Sequence, residues 1–290
     1  MKLRSKLRKG KPLAGLTTFR IGGRARFYAE PPDEDDLRRI LAYARARRMP
    51  VRVLGAGSNV LIPDKGVRGI VLRLSAPGFR KISLQGTRIQ AGAGVALAEL
   101  VRVSAAGGRG GLEFLAGIPG SVGGAVLMNA GAWGKNIAGC IEKISIMDYN
   151  GKIRGLSRED VSFGYRFSGL KECIVLGAAF KTRARPVPAL RRRIADYGRK
   201  RRMTQHVPQP NAGCIFKNPP RLSAGRLIES CGLKGKRSGG ALVSERHANF
   251  IVNAKQASAA DVLRLMRLVK GKVRRVYGVE LEPEIRVWKY

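Results

Sequence analysis

"NAGCIFKNP", Asn211 to Pro219, sets one thiol, Cys214, between a glycine and an apolar pair, with Lys217 and Asn218 just beyond. A thiol has a reference pKa of about 8.5 and keeps its proton at neutral pH, so Cys214 has the makings of an acid. It has equally the makings of a small buried hydrophobe beside a turn. A second stretch, "VLGAGSN" (Val53 to Asn59), ends a β-like run in a glycine loop whose backbone N–H groups could meet a phosphate. It is not the turn of a dinucleotide-binding βαβ unit, which must open a helix, because Val60, Leu61, Ile62 and Pro63 follow. A third, "GIPGSVGGAVLMNAGAWG" (Gly117 to Gly134), is glycine-rich yet apolar. A linker would be more polar, and a core helix would hold fewer glycines. Folded backbone pressed against a flat or phosphorylated ligand accounts for both features, and a buried glycine-rich crossing is the alternative.

The elements that must position these stretches alternate between strand and helix. "RARFYAEP" reads as a strand, and "PDEDDLRRILAYARARRMP" as a helix with Asp33 at its N-cap, acids in its first turn and bases in its last. "VRVLGAG" and "GIVLRL" are strands. "KISLQGTRIQAG" is a hairpin, "VALAELVRVSAAGG" a helix stopped by glycines, and "KISIMDYNGKIRGL" a second hairpin turning at Asn150-Gly151. "CIVLGAAFKTR" closes this region as a strand. After the linker "RARPVPAL", "LRRRIADYGRKRRM" and "AADVLRLMRLVKGKVRRVYG" have helical apolar spacing, while "ANFIVN" and "LEPEIRVW" read as strands.

Composition bounds the rest. Of 290 residues 44% are hydrophobic and 6% aromatic, which fits a globular chain, and no apolar run approaches the ~18 residues of a membrane span. Residues 1–14 read as a basic tail, since no apolar stretch follows the charged start as it would in a signal peptide. A cytoplasmic protein, without membrane insertion, is expected. The four cysteines have no CxxC pair, and only His206 and His247 are present, so neither a disulfide framework nor a metal site is expected. The formal net charge is +36, from 56 basic and 20 acidic residues spread through every segment. A diffuse field of this kind draws anions in general, whereas a specific nucleic-acid footprint would be clustered.

Taken in order, "TTFRIGGRA", "VLGAGSNVLIPD", "GLEFLAGIPGSVGGAVLMNAGAWG", "FGYRFS", "AGCIFKNP", "AGRLIESCGLKG", "VSERHANFIVN" and "LEPEIRVW" resemble the UDP-N-acetylenolpyruvoylglucosamine reductase family over roughly residues 15–288. The short span between "FGYRFS" and "AGCIFKNP" is similar to the family's shorter subtype. The resemblance implies a mixed α/β (α+β) chain with a two-subdomain FAD-binding fold of the vanillyl-alcohol-oxidase (PCMH) type, at 15–78 and 79–184. It also implies a C-terminal α+β substrate domain at 185–290. Implied too are FAD and NADPH as cofactors, reduction of a UDP-linked enolpyruvyl ether for peptidoglycan synthesis, and a monomer with no specific nucleic-acid partner.

The resemblance also assigns roles. Hydride delivery to the enolpyruvyl methylene leaves negative charge that needs a cation and a general acid. Cys214 matches the family's proton donor, a position where serine is the usual residue. Arg166 matches the arginine at the enolpyruvyl carboxylate, where a planar guanidinium suits two oxygens. Glu284 matches a third catalytic residue, preferred over Glu282 because the motif places it after proline. The FAD contacts implied are Gly55, Ala56, Gly57, Ser58 and Asn59, then Pro119, Gly120, Ser121, Val122 and Gly123, with residues 129–134 packing nearby. Tyr165, Lys217, Asn218, His247 and Asn249 are implied at the substrate. The rival readings are another FAD oxidoreductase of the same fold and, in a different class, a basic nucleic-acid-binding protein. No histidine lies in 15–184, so a histidyl flavin tether there is excluded, whereas a cysteinyl one is not.

Overall fold

The computed structural model of the chain describes residues 5–205 and 207–290. In chain order the main elements are β1 (Arg8–Pro12), β2 (Arg24–Ala29), α1 (Glu34–Ala46), β3 (Val51–Val53), β4 (Val60–Leu61), β5 (Val67–Leu72), β6 (Ile82–Gln85) and β7 (Arg88–Gly92). Then come α2 (Leu97–Ala106), α3 (Val122–Leu127), β8 (Ile141–Asp148), β9 (Ile153–Ser157), β10 (Phe163–Gly164), β11 (Phe167–Ser168), β12 (Cys173–Lys181) and α4 (Val187–Gln205). The remainder is β13 (Asn211–Cys214), α5 (Ala224–Ser230), β14 (Arg237–Ser238), β15 (Ala241–Val243), β16 (Phe250–Asn253), α6 (Ala259–Tyr277) and β17 (Arg286–Val287). Strands β1, β2, β5 and β3 form a sheet in that order. Two compact units emerge, each assembled from separate stretches of chain. The first takes the chain through Arg8, Tyr28–Ala56 and Gly69–Arg201, and the second Lys9–Phe27, Gly57–Arg68 and Arg202–Tyr290.

In the first unit β3 runs parallel to β5, with Val53 opposite Leu72. The Leu54 N–H extends that ladder by donating to the Leu72 carbonyl at 2.8 Å. Loops 54–56 and 73–75 therefore leave the sheet side by side at the carboxyl ends of adjacent parallel strands, the edge where open α/β sheets bind ligands. A second sheet, in the order β9-β8-β12-β7-β6, is antiparallel throughout. Its β8–β9 hairpin turns at the expected dipeptide: Gly151 has φ +89°, and Asp148 Oδ1 accepts the N–H groups of Asn150 and Lys152 at 3.0 Å each. Asp33 caps α1 by accepting the Asp36 N–H at 2.8 Å.

Three expectations need correction. Residues 8–12 are not a loose basic tail but β1; charged side chains do not prevent backbone pairing, and Arg24 Nη1 holds the Gly10 carbonyl at 2.7 Å. The glycine-rich stretch contains a helix, α3, because Ser121 accepts the Gly124 N–H at its N-cap. "LEPEIRVW" is not one continuous strand: only β17 is regular strand, and upstream of it Pro283 makes an isolated antiparallel bridge with Phe216. In α4 the only buried residue is Leu190, and Arg191, Arg192, Arg193, Arg199, Lys200 and Arg202 are exposed.

The second unit is a four-stranded antiparallel sheet, β13-β16-β15-β14, covered by α5 and α6. Its core joins Phe19, Ile21 and Leu61 to Ile215, Phe216, Ile251, Val262, Leu265 and Val269. The amphipathic α6 starts at a reciprocal cap: Ser258 accepts the Asp261 N–H, and Asp261 accepts the Ser258 N–H at 2.9 Å. Asp64 accepts the next two donors, Ala259 N–H at 2.7 Å and Ala260 N–H at 3.1 Å. No helix among the described residues is long and apolar enough to cross a membrane.

The Ser258 N–H, with help from the Ser258 hydroxyl, Gly240 and Arg264, holds the Asp261 carboxyl below its ordinary range against the cost of burial. A carboxyl lowered on folding adds stability above its unfolded pKa of about 3.9, and that stability is lost as pH falls through the folded value. Asp261→Asn is therefore expected to lower the urea midpoint at pH 7, and the gap to wild type is expected to shrink at pH 3.

Candidate active site

The first unit contains a cavity of about 270 Å³. Its walls are loops 54–56 and 73–75, Ala93 and Gly94 after β7, Gly120, Ser121, Gly123 and Gly124, Leu127 of α3 and the start of β12. Of the residues expected at FAD, Gly55, Ala56, Gly120, Ser121 and Gly123 line it. Val122 is instead fully buried, its N–H donated to Val95. Gly57 and Asn59 belong to the second unit, where the Gly57 carbonyl accepts the Thr18 N–H at 3.1 Å. Ser58 also lies in the second unit, and Pro119 is absent from the cavity wall.

The walls suit a phosphorylated dinucleotide. A Cβ on Gly55 would lie 2.8 Å from Ser121 Oγ, and one on Gly123 2.9 Å from Ala93 Cβ, so glycine lets these loops pack close against those short side chains. Among the described residues, the N–H groups of Gly55, Ala56, Gly120 and Ser121 have no protein acceptor, which leaves them for a ligand. The charged side chains in the wall are Arg73 and Arg80, both cationic. The volume sits at the lower end of ligand pockets (~300–1,000 Å³), enough to enclose part of FAD. Arg73, Ser75 and Cys173 also line this cavity, and sequence reasoning did not place them there. Burial pushes the Cys173 thiol pKa up, with the Asp148 charge adding to it, so its nucleophilic thiolate is scarce.

Arg166 sits at the tip of the β10–β11 hairpin with φ +54°, a conformation uncommon for a residue other than glycine. Its guanidinium lies 5.2 Å from the centre of the Tyr165 ring, and Tyr165 is 53% exposed. The hairpin is tied to the cavity wall. Ser168 Oγ donates to the Leu127 carbonyl at 2.8 Å, and the buried Asn129 donates Nδ2 to the Gly164 carbonyl at 2.8 Å while accepting the Ala138 N–H. Trp133 of the same segment stacks on Tyr197.

Cys214 and Glu284 both belong to the second unit. The half-buried Cys214 ends β13 opposite Phe250. Gly213 has φ +74°, and a Cβ there would meet nothing within 4 Å; a turn in the backbone, not lack of room, calls for glycine. Asn211 braces that turn, accepting the Gly213 N–H at 2.9 Å. Two residues on, the peptide of Phe216 is clasped by Asn249: Phe216 N–H donates to Oδ1 at 3.0 Å, and Nδ2 donates to the Phe216 carbonyl at 2.8 Å. The Ile215 N–H donates to the Asn249 carbonyl at 2.8 Å. On its other side the Ile215 carbonyl accepts the Glu284 N–H at 2.8 Å, so Glu284 lies against the residue next to Cys214. Asn59 holds the same segment from behind, donating Nδ2 to the Glu284 carbonyl at 3.2 Å and accepting the Arg286 N–H at 3.1 Å.

Lys217 is paired with Glu282 at 2.8 Å, and its ammonium holds that exposed carboxyl below the usual range. Asn218 Oδ1 accepts the Ala224 N–H at the start of α5. His247 Nδ1 accepts the Asn249 N–H, its ring rests 4.6 Å from that of Phe250, and burial lowers its pKa, so the imidazole is neutral at pH 7. Among the described residues no cluster of His, Cys, Asp or Glu could hold a metal ion.

Residues 25–157 match the family model for an FAD binding domain, and residues 205–288 match that for the UDP-N-acetylenolpyruvoylglucosamine reductase C-terminal domain. Fold and family matches together define an FAD-dependent oxidoreductase whose first unit contains the FAD binding domain match and the cavity, and whose second carries the reductase domain. The crystal structure of UDP-N-acetylenolpyruvylglucosamine reductase from Thermus caldophilus superposes with a TM-score of 0.86, at 39% identity over 99% of this chain and 100% of that one. The reductase of Moorella thermoacetica is 44% identical over 278 residues, 96% of this chain and 91% of its own. The second reductase of Symbiobacterium thermophilum is 42% identical over 285 residues, 98% and 92% respectively. The chain belongs to the UDP-N-acetylenolpyruvoylglucosamine reductase family.

Asn249 is 2% exposed, and truncating it strips both polar groups of the Phe216 peptide of their partners. Asn249→Ala is expected to destabilise the protein by about 2–4 kcal/mol, read from chemical denaturation. A loss under about 0.5 kcal/mol would mean that water replaces the clasp.

Proposed function

We propose that the protein reduces UDP-N-acetylenolpyruvoylglucosamine to UDP-N-acetylmuramate with electrons from NADPH, in the cytoplasmic stage of peptidoglycan synthesis. The observation that carries this reading is the backbone pairing of the Cys214 and Glu284 segments inside the region that matches the reductase C-terminal domain. Bound FAD would supply the redox chemistry, taking two electrons from NADPH and passing them to the enolpyruvyl carbon. The loops at Gly55, Ala56, Gly120, Ser121 and Gly123 would hold it, mainly through backbone N–H groups.

The protein's own part is to manage charge and a proton. Cys214 Sγ keeps the proton that the substrate carbon beside the carboxylate must gain, and a thiol gives up a proton far more readily than a serine hydroxyl. Arg166 carries a permanent positive charge, suited to the two oxygens of the enolpyruvyl carboxylate as negative charge spreads into them. The Glu284 backbone is held by Ile215 and Asn59, and the clasp of Asn249 holds the neighbouring segment; such preorganisation suits the negative charge that develops on the substrate. Lys217 would meet the anionic UDP portion, exchanging its partner Glu282 for phosphate. Asn218, Tyr165 and the neutral His247 are the further side chains proposed to contact substrate. Asn59 and Asn249 also brace this site, holding the backbone of Glu284 and of Phe216.

Purified protein is expected to be yellow and to release free FAD on denaturation. Flavin that stays attached to the chain would favour a tethered oxidase instead. In stopped-flow absorbance, Cys214→Ala is expected to let NADPH bleach the flavin at the wild-type rate while slowing reoxidation by the enolpyruvyl substrate by about a hundredfold or more, the contribution of a positioned general acid. Cys214→Ser is expected to keep part of that step. Undiminished reoxidation in the alanine variant would remove Cys214 from the mechanism.

A further inference from the structure

We propose that Arg73, beside the network of Tyr28, Glu30 and Ser75, is the cationic side chain that takes the diphosphate of FAD in the cavity of the first unit. The inference rests on the flavin reading of that cavity and adds a side-chain contact to a site otherwise built from backbone. Because β5 ends at Leu72 beside Val53 of β3, Arg73 leaves the sheet next to the loop of Gly55 and Ala56, whose N–H groups have no protein acceptor among the described residues. Its own N–H donates to the Ala29 carbonyl at 3.0 Å, which fixes where the side chain begins.

Beneath it lies a small polar network. The hydroxyl of Tyr28, a residue only 1% exposed, donates to Glu30 Oε1 at 2.9 Å, and Ser75 Oγ donates to the same oxygen at 2.7 Å. Arg73 pairs through its backbone with Ala29, between Tyr28 and Glu30, and shares the cavity wall with Ser75. Its side chain therefore starts from a fixed point at the wall, and its charge favours the ionised form of Glu30. Of the parts of FAD only the diphosphate is anionic, and a guanidinium fork fits a pair of phosphate oxygens. Arg80, the other cation in the wall, is exposed and already paired with Glu99 at 3.0 Å, which leaves it at the rim.

The test strips the flavin from the purified protein and titrates it with FAD by fluorescence quenching, with ADP and riboflavin as competitors. Arg73→Gln is expected to weaken FAD and ADP about ten- to hundredfold, the effect of losing one charge-assisted hydrogen-bond partner, and to leave riboflavin within about twofold. The rise of the FAD Kd with added salt is expected to flatten in the same variant. Arg73→Lys, which keeps the charge but not the fork, is expected to recover part of the loss, and Arg80→Gln to change FAD affinity by less than about threefold. Tyr28→Phe, which removes only the hydroxyl, is expected to weaken FAD by a few fold. FAD affinity within twofold of wild type in Arg73→Gln, or equal losses for FAD and riboflavin, overturns the proposal. Wild-type protein that takes up no FAD at all overturns the flavin reading itself, and this proposal with it.

Discussion

The clasp of one peptide by one amide side chain organises the second unit. Asn249 supplies both a donor and an acceptor to Phe216 and adds its own carbonyl for Ile215. An edge strand that ends in a glycine turn has little ladder of its own; β13 pairs with β16 through an irregular register between Asn211 and Cys214. Without the clasp that chain would carry unsatisfied polar groups into a core formed by Ile215 and Phe216 themselves. With it, the segment is rigid enough for Glu284 to pair against it, and for Asn59 to pair in turn against Glu284. A thiol and a carboxyl separated by 70 positions in sequence thus acquire fixed backbones through amides that do no chemistry.

The cavity of the first unit follows a different logic. There, parallel pairing of β3 with β5 aligns two strand ends, and small residues let the remaining loops close in without side chains between them. The result is a wall of backbone donors with a cation held at one side. Such a wall recognises phosphate by geometry more than by composition, which is why the diffuse +36 charge says little about it.

Much of this was legible in the sequence because it depends on local rules. The Asp33 cap, the Asn150-Gly151 hairpin and the α6 amphipathic pattern are encoded within a few residues of where they act. The glycine loops carried their signal in composition, and five of the ten residues expected at FAD line the cavity. What stayed hidden depends on distant pairing. Arg73 and Ser75 follow an ordinary apolar strand, and nothing near them in sequence reveals that β3 ends alongside. Asn59 sits in a glycine loop and its amide reaches Glu284, and the amide of Asn249 turns onto Phe216; both pairings join positions far apart in sequence. Nor does composition tell that Gly57–Arg68 belongs with residues beyond 201.

That last feature bears on how the chain comes off the ribosome. Phe19, Ile21 and Leu61 are all but fully enclosed in the finished second unit, but the residues that enclose them, Ile215 to Val273 among them, are the last to be synthesised. At about 5–20 residues per second, roughly ten to fifty seconds separate the two, and the early apolar side chains spend them uncovered. High contact order of this kind slows closure further. During synthesis, then, the nascent amino-terminal segment is the part of the molecule most exposed to chaperones and most prone to stick to its neighbours on the same messenger.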